Sequence, residues 1–212
     1  RTIQRLWVQS TNQSGVNGTP TEKSMKVFRL ACVVVVMGCT HLAIGSQCPT
    51  TNAISNPELF QWTQHPVTAN NPEEYFSGTM EIGEATLTVG TDTITTRAYR
   101  QEGMSYSIPG PTMIMEPGKK YVLRFKNTLP YEAPSTDQNT FKDANISNIH
   151  THGLHISGES PGDDVTRSFE GGFGGDFVYD IPADHMGGTY WYHAHHHGST
   201  FLQVSGGAFG LI

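Results

Sequence analysis

The 212-residue sequence predicts an all-β fold, a two-sheet sandwich or a barrel. Three observations predict it. Apolar residues recur with a period near two from Phe76 onward; the 23 Gly and 12 Pro make up about one residue in six; and no segment carries a helical stripe long enough to count against strands. A period of two is that of a strand with one wet and one buried face, and breakers about every 8 to 12 residues have the rhythm of sandwiches and barrels. A hydrophobic content of 36% with 10% aromatics fills one core, and the length allows one ordinary domain plus additional segments.

Taken in order, residues 46–75 contain Pro49, Pro57, Pro66 and Pro72 and read as an irregular arm leading into the sandwich domain, 76–212. The first strands are expected at Thr79-Met80-Glu81-Ile82, Ala85-Thr86-Leu87-Thr88-Val89 and Thr93 to Tyr99, the last two separated by the turn Gly90-Thr91-Asp92. Further strands are expected at Thr112 to Met115, Tyr121 to Phe125, Ile146 to His152, Phe177 to Ile181, Thr189 to His195, and in the apolar run that ends at Ile212.

The first 45 residues read as processing sequence. Residues 1–24 precede the candidate initiator Met25 and are rich in Gln, Asn, Ser and Thr, the composition of a leader. Met25 to Arg29 form a short basic start, Leu30 to Met37 an apolar run, and Ala43-Ile44-Gly45 a small-residue site, so 25–45 is expected to be a secretory signal peptide cleaved before Ser46. Arg29, Thr40 and His41 interrupt the segment, which is too short to cross about 30 Å of hydrocarbon. Val36-Met37-Gly38-Cys39 also resembles a bacterial lipobox, in which Cys39 carries the lipid; either route leads to a secreted or cell-surface protein.

Cleavage at Gly45 removes Cys32 and Cys39 and leaves Cys48 alone, which in a secreted chain argues for a partner elsewhere. The sequence also stops inside an apolar strand. Together these features predict that the natural protein extends beyond Ile212.

The formal net charge is −6, and setting aside residues 1–45, which hold five of the 13 basic and one of the 19 acidic residues, leaves −10. Such a surface lacks the basic patch that nucleic-acid binding requires. No Gly-rich strand-turn-helix fingerprint points to a nicotinamide cofactor.

The histidines carry the chemistry. Eight of the 10 lie between His150 and His197, seven of them in Asn148-Ile149-His150-Thr151-His152-Gly153-Leu154-His155 and Tyr190-Trp191-Tyr192-His193-Ala194-His195-His196-His197. On a strand, residues i and i+2 share a face, so His150 and His152 project together, as do His193 and His195. Two neighbouring strands then aim four imidazoles into one space, and imidazole suits Cu, Zn, Fe and Ni. His41, His65, His155, His185, His196 and His197 are read as non-ligands; His196 points to the opposite face, and His197 lies beside Gly198 where the strand ends.

These two stretches resemble the N-terminal copper-binding motifs of multicopper oxidases, the laccase-like enzymes built from plastocyanin-like, or cupredoxin, domains. Pro109 to Gly118, the strand ending at Asn127-Thr128-Leu129, and Gly206 to Ile212 resemble the flanking parts of that family's first domain. The resemblance covers about residues 76–212, with the motifs in order, and implies a cupredoxin-like Greek-key β-sandwich with antiparallel sheets. It implies an enzyme that oxidises a reducing substrate, a phenol or a metal ion, one electron at a time and reduces O2 to water. It further implies that His150 is a type 2 copper ligand and that His152, His193 and His195 hold the type 3 pair. An Asp in the loop after the first motif helps deliver protons in that family; Asp163 and Asp164 are the candidates here.

The departures matter as much. A blue copper needs a Cys thiolate, yet no Cys lies in 76–212, Ala194 fills the middle of the second pair, and the family's C-terminal motifs are absent. The chain is therefore expected to supply half of a trinuclear site, with further cupredoxin domains supplying the rest, and to be inactive alone. Two alternatives are a non-catalytic copper-binding cupredoxin and a zinc hydrolase. The latter rests on His150-x-His152-x-Leu154-His155, in which Leu154 stands where the hydrolase run needs Asp. The five Met downstream of the signal do not amount to a Met-rich insert, and the reducing substrate is left open. Asn145-Ile146-Ser147 is a glycosylation sequon close to His150.

Overall fold

Alternation is the rule that shapes the chain. In the computed structural model, which describes residues 57–89 and 91–212, β4 (Lys120–Asn127) buries Tyr121, Leu123, Phe125 and Asn127 and turns the residues between them outward. Phe177 and Tyr179 alternate in the same way on β6 (Gly174–Asp180). The expected signal peptide, with Cys32, Cys39 and His41, and Cys48 lie outside the described residues.

The larger sheet has five strands. β2 (Tyr75–Val89) is its spine, 15 residues long, with β1 (Thr63–His65) against its start and β3 (Asp92–Gln101) folded back on its second half. β4 lies along β2, and β6 closes the sheet against β4. The smaller sheet has three strands, β5 (His150–His152), β7 (Trp191–His193) and β8 (Phe209–Leu211), in the order β5-β7-β8. One short helix, α1 (Thr200–Gly206), links β7 to β8. The core between the sheets is built from Met80, Ile82, Tyr99, Leu123, Phe125, Phe177 and Tyr179 on one side and Ile149, Tyr192, Ala194 and Ala208 on the other. The all-β sandwich is the predicted class.

Three details differ from expectation. β2 and β4 run parallel, with Phe76 opposite Tyr121, whereas antiparallel pairing was expected throughout. Between them the chain visits the other sheet, where Gly110 N–H bonds to Phe209 O at 2.8 Å and Met113 N–H to Leu211 O at 2.9 Å; a strand that returns after such an excursion is free to run parallel. Part of the expected irregular arm is ordered sheet: β1 pairs with β2, and Phe60 is buried in the core against Trp62. The seven residues of α1 carry no long apolar stripe because they bury Gln203, whose amide bonds to Ile146 O at 2.7 Å and to Ser147 Oγ at 2.8 Å.

Two further features frame the histidines. Gly153 follows His152 with φ +96°, a conformation L side chains rarely adopt, and this ends β5. The Asn145 sequon is tied down, with its side-chain oxygen on Arg97 and its N–H donating to Glu132 at 2.7 Å. No helix among the described residues is long and apolar enough to cross a membrane.

Candidate metal centre

The site grows out of one strand pair. β5 and β7 are antiparallel, with His150 opposite His193, Thr151 opposite Tyr192 and His152 opposite Trp191. Opposite residues share a face, so Thr151 and Tyr192 go to the buried side and His150, His152, His193 and Trp191 to the other. The core side chains thereby dictate which residues face out: with Ile149, Tyr192 and Ala194 fully buried, the histidines at alternate positions have one direction left.

The rings meet. Ring centroids are 5.3 Å apart for His150 and His193, 6.0 Å for His150 and His152, 5.7 Å for His152 and His193, 5.0 Å for His150 and His195, and 5.6 Å for His193 and His195. One donor atom from each of His150, His152 and His193 lies within 4.8 Å of the others. That is a little more than two metal–nitrogen bonds of about 2 Å. His195 stands beside this trio without joining the tightest group. Trp191 stacks on His193 at 4.2 Å and 26°, and also contacts the His152 ring at 5.0 Å.

Hydrogen bonding sets the tautomers. His193 Nδ1 lies 3.0 Å from Ala194 O and donates to it, which leaves Nε2 with its lone pair, buried and without a partner among the described residues. A buried nitrogen left in that condition is costly unless something binds it. Burial, aided by the neighbouring histidines, lowers the pKa of His193 and of His195, so both are neutral near neutral pH. His150 Nδ1 faces Asp163 Oδ2 at 2.9 Å, at an angle short of a formed hydrogen bond.

The family follows from the sequence that carries this geometry. The profile of the family described as Multicopper oxidase matches residues 88–212. The chain belongs to the multicopper oxidase family. In fold, this multicopper oxidase domain is similar to "Multicopper oxidase from Campylobacter jejuni: a metallo-oxidase", with 24% identity, a TM-score of 0.51, and coverage of 74% of this chain and 28% of that one. It also aligns with a multi-copper oxidase from Pediococcus acidilactici at 21% identity and TM-score 0.46, over 79% of this chain and 31% of that one. A further multicopper oxidase aligns at 18% identity and TM-score 0.46, over 73% and 45% of the two chains. The chain thus spans less than half the length of each. No curated protein matches it.

The donor set of this multicopper oxidase domain fits the family's metal. Converging imidazoles, one of them with a buried Nε2 that no described residue answers, are what copper takes and what a purely structural cluster avoids. The two loop carboxylates part company. Asp163, 8% exposed, accepts from Thr151 N–H at 3.0 Å and Thr151 Oγ at 2.8 Å and faces His150. Asp164 instead accepts from Thr166 N–H at 3.0 Å and Thr166 Oγ at 2.6 Å, bonds that lower its pKa in a local turn away from the histidines.

Of the histidines read as non-ligands, His155, His185 and His196 have other partners. His196 bonds to Ser168 Oγ at 2.8 Å and Asp143 Oδ2 at 3.1 Å, and His185 Nε2 accepts from His155 N–H at 3.0 Å. Leu154 packs on the core and His155 on His185, so the hydrolase-like run of the sequence is not assembled as a ligand set. Sequence reasoning missed Trp191 and Asn148. The first was legible once His152 was paired with it across the strands; the second shares the strand alternation of His150 and His152 but carries no ligand chemistry of its own.

Proposed function

We propose that this domain supplies half of a trinuclear copper site in a secreted enzyme that couples one-electron oxidation of a reducing substrate to reduction of O2 to water. The observation that carries the reading is the convergence of His150, His152 and His193, with His195 beside them, around the unpartnered Nε2 of His193. His150 holds the type 2 copper, and His152, His193 and His195 hold the type 3 pair. Bound there, copper supplies one-electron redox steps and a place for O2.

The protein's own groups do the rest. Ala194 O fixes the His193 tautomer by accepting from Nδ1. Asp163, pinned by Thr151, keeps a carboxylate oxygen, Oδ2, 2.9 Å from His150 Nδ1 and beside the site, placed to hold and pass a proton. Trp191 walls one side of His193 against water.

Four imidazoles are too few for three coppers, and His152 and His195 are exposed, so a further domain completes the shell. The thiolate of the electron-entry copper must also come from outside 76–212, where Ala194 sits between the second pair. The reductant is a phenol or a low-valent metal ion.

Copper titration of the full chain, followed by electron paramagnetic resonance and O2 uptake, tests this reading. Copper is expected to bind with imidazole-nitrogen couplings, without intense thiolate-to-copper colour, and without O2 consumption from a phenolic donor until the completing domain is added. Absence of copper binding, or rapid O2 turnover by the loaded chain alone, overturns it. Export is tested separately: N-terminal sequencing of secreted protein is expected to start at Ser46, and a start at Met25 or earlier contradicts the signal peptide.

A further inference from the structure

Beyond Trp191–His193 the two histidine strands separate. The ladder's last pair is His150 opposite His193, and the next amide, Ala194 N–H, turns to Ala208 O at 3.2 Å. Continuing the register sets Asn148 opposite His195. There the backbone-to-backbone bond is replaced by a side chain: His195 N–H donates to Asn148 Oδ1 at 2.7 Å. His195 is exposed and its imidazole takes no hydrogen bond from another side chain among the described residues, so this backbone bond is what holds its position.

Asn148 has no freedom of its own. It is fully buried, its carbonyl accepts from Tyr99 OH at 2.8 Å, and Tyr99 belongs to β3 of the opposite sheet. Its amide NH2 donates to Val165 O at 3.0 Å, in the loop that carries Asp163. A flipped amide would set NH2 against the His195 N–H and oxygen against the Val165 carbonyl, so the two partners fix the orientation. One side chain thus ties together the strand of His150 and His152, the backbone of His195, and the loop whose carboxylate faces His150.

We infer that Asn148 is a positioning residue that sets where His195 stands relative to His150 and His193, and thereby whether the second histidine pair can share a metal with the first. This rests on the copper reading above. A hydrophobic residue in its place would fill the volume but leave His195 N–H and Val165 O without partners. A shorter one would let the strand beyond His193 drift, and a donor displaced by about 1 Å no longer serves the same ion.

The test compares Asn148→Ala, Asn148→Asp and His195→Ala in the full chain. Two readouts are used, copper titration with electron paramagnetic resonance, and hydrogen exchange at the His195 amide without metal. Asn148→Ala is expected to reproduce the copper stoichiometry and spectrum of His195→Ala, to weaken copper binding about 10- to 100-fold, and to speed His195 amide exchange about tenfold or more. Asn148→Asp keeps an acceptor oxygen for His195 N–H and, with its buried carboxyl protonated, a donor toward Val165 O, so below the pH at which that carboxyl ionises it is expected to retain the His195-dependent spectrum and slow exchange. If Asn148→Ala does not fold, Asn148→Ser, whose hydroxyl is too short to reach His195, replaces it.

Wild-type spectrum and wild-type exchange in Asn148→Ala overturn the inference, and so does an Asn148→Asp protein that loses the His195 signal. Should the wild-type chain bind no copper, the copper reading fails, and the exchange measurement still decides whether Asn148 holds His195.

Discussion

Replacing His193 with Ala is expected to weaken copper binding by more than about a hundredfold while leaving the metal-free fold nearly as stable as before. Outer partners of a ligand are typically worth 10- to 100-fold in affinity, and a ligand itself more. In the proposed site His193 is the central donor: it lies opposite His150, within reach of His152 and His195, with its free Nε2 buried. In the metal-free protein two effects oppose each other. Truncation loses the 4.2 Å stack on Trp191, but it also removes a buried nitrogen that no described residue satisfies. The net change is expected to stay within about 1–2 kcal/mol. Copper competition and thermal unfolding with and without copper separate the two; unchanged affinity would remove His193 from the site.

Phe125→Ala is expected to have the largest effect on stability, a loss of about 3–5 kcal/mol. Phe125 is fully buried on β4, opposite Gly175 of β6 and Met80 of β2, and its ring meets Phe177 edge-on at 6.2 Å and Phe169 at 5.8 Å. Gly175, directly opposite on β6, has no side chain with which to fill the void left behind. Against the 5–15 kcal/mol typical of a folded domain, this change takes a large share. Urea unfolding should show a lower midpoint with an unchanged slope. A loss below about 1 kcal/mol would mean that the β4–β6 face repacks freely.

Much of this was legible in the sequence because it is local. A period of two needs only neighbouring residues, so the strands at Tyr121 to Phe125 and Phe177 to Ile181 could be read directly, as could the shared face of each His-x-His pair. The absence of a thiol from 76–212 is equally a property of the sequence, and it alone removes a blue copper from this domain. Where local spacing gave out, so did the reading. Asp163 and Asp164 are adjacent and chemically identical, and only the path of the loop turns one toward His150 and the other into a bond with Thr166.

The same division separates what the sequence determined from what only the tertiary structure decided. Alternation, turn residues and donor types fixed an all-β sandwich and two imidazole pairs, since each depends on contacts a few residues long. The parallel course of β4 beside β2, the meeting of His150 with His193 across 43 residues of sequence, the Trp191 stack and the Asn148 clasp on His195 depend on register between distant strands. Register is chosen by the whole core at once: a shift of one residue would turn Tyr192 and Ala194 outward and His193 inward. The free energy of burying those apolar side chains, far more than any preference of the histidines themselves, is what assembles the site.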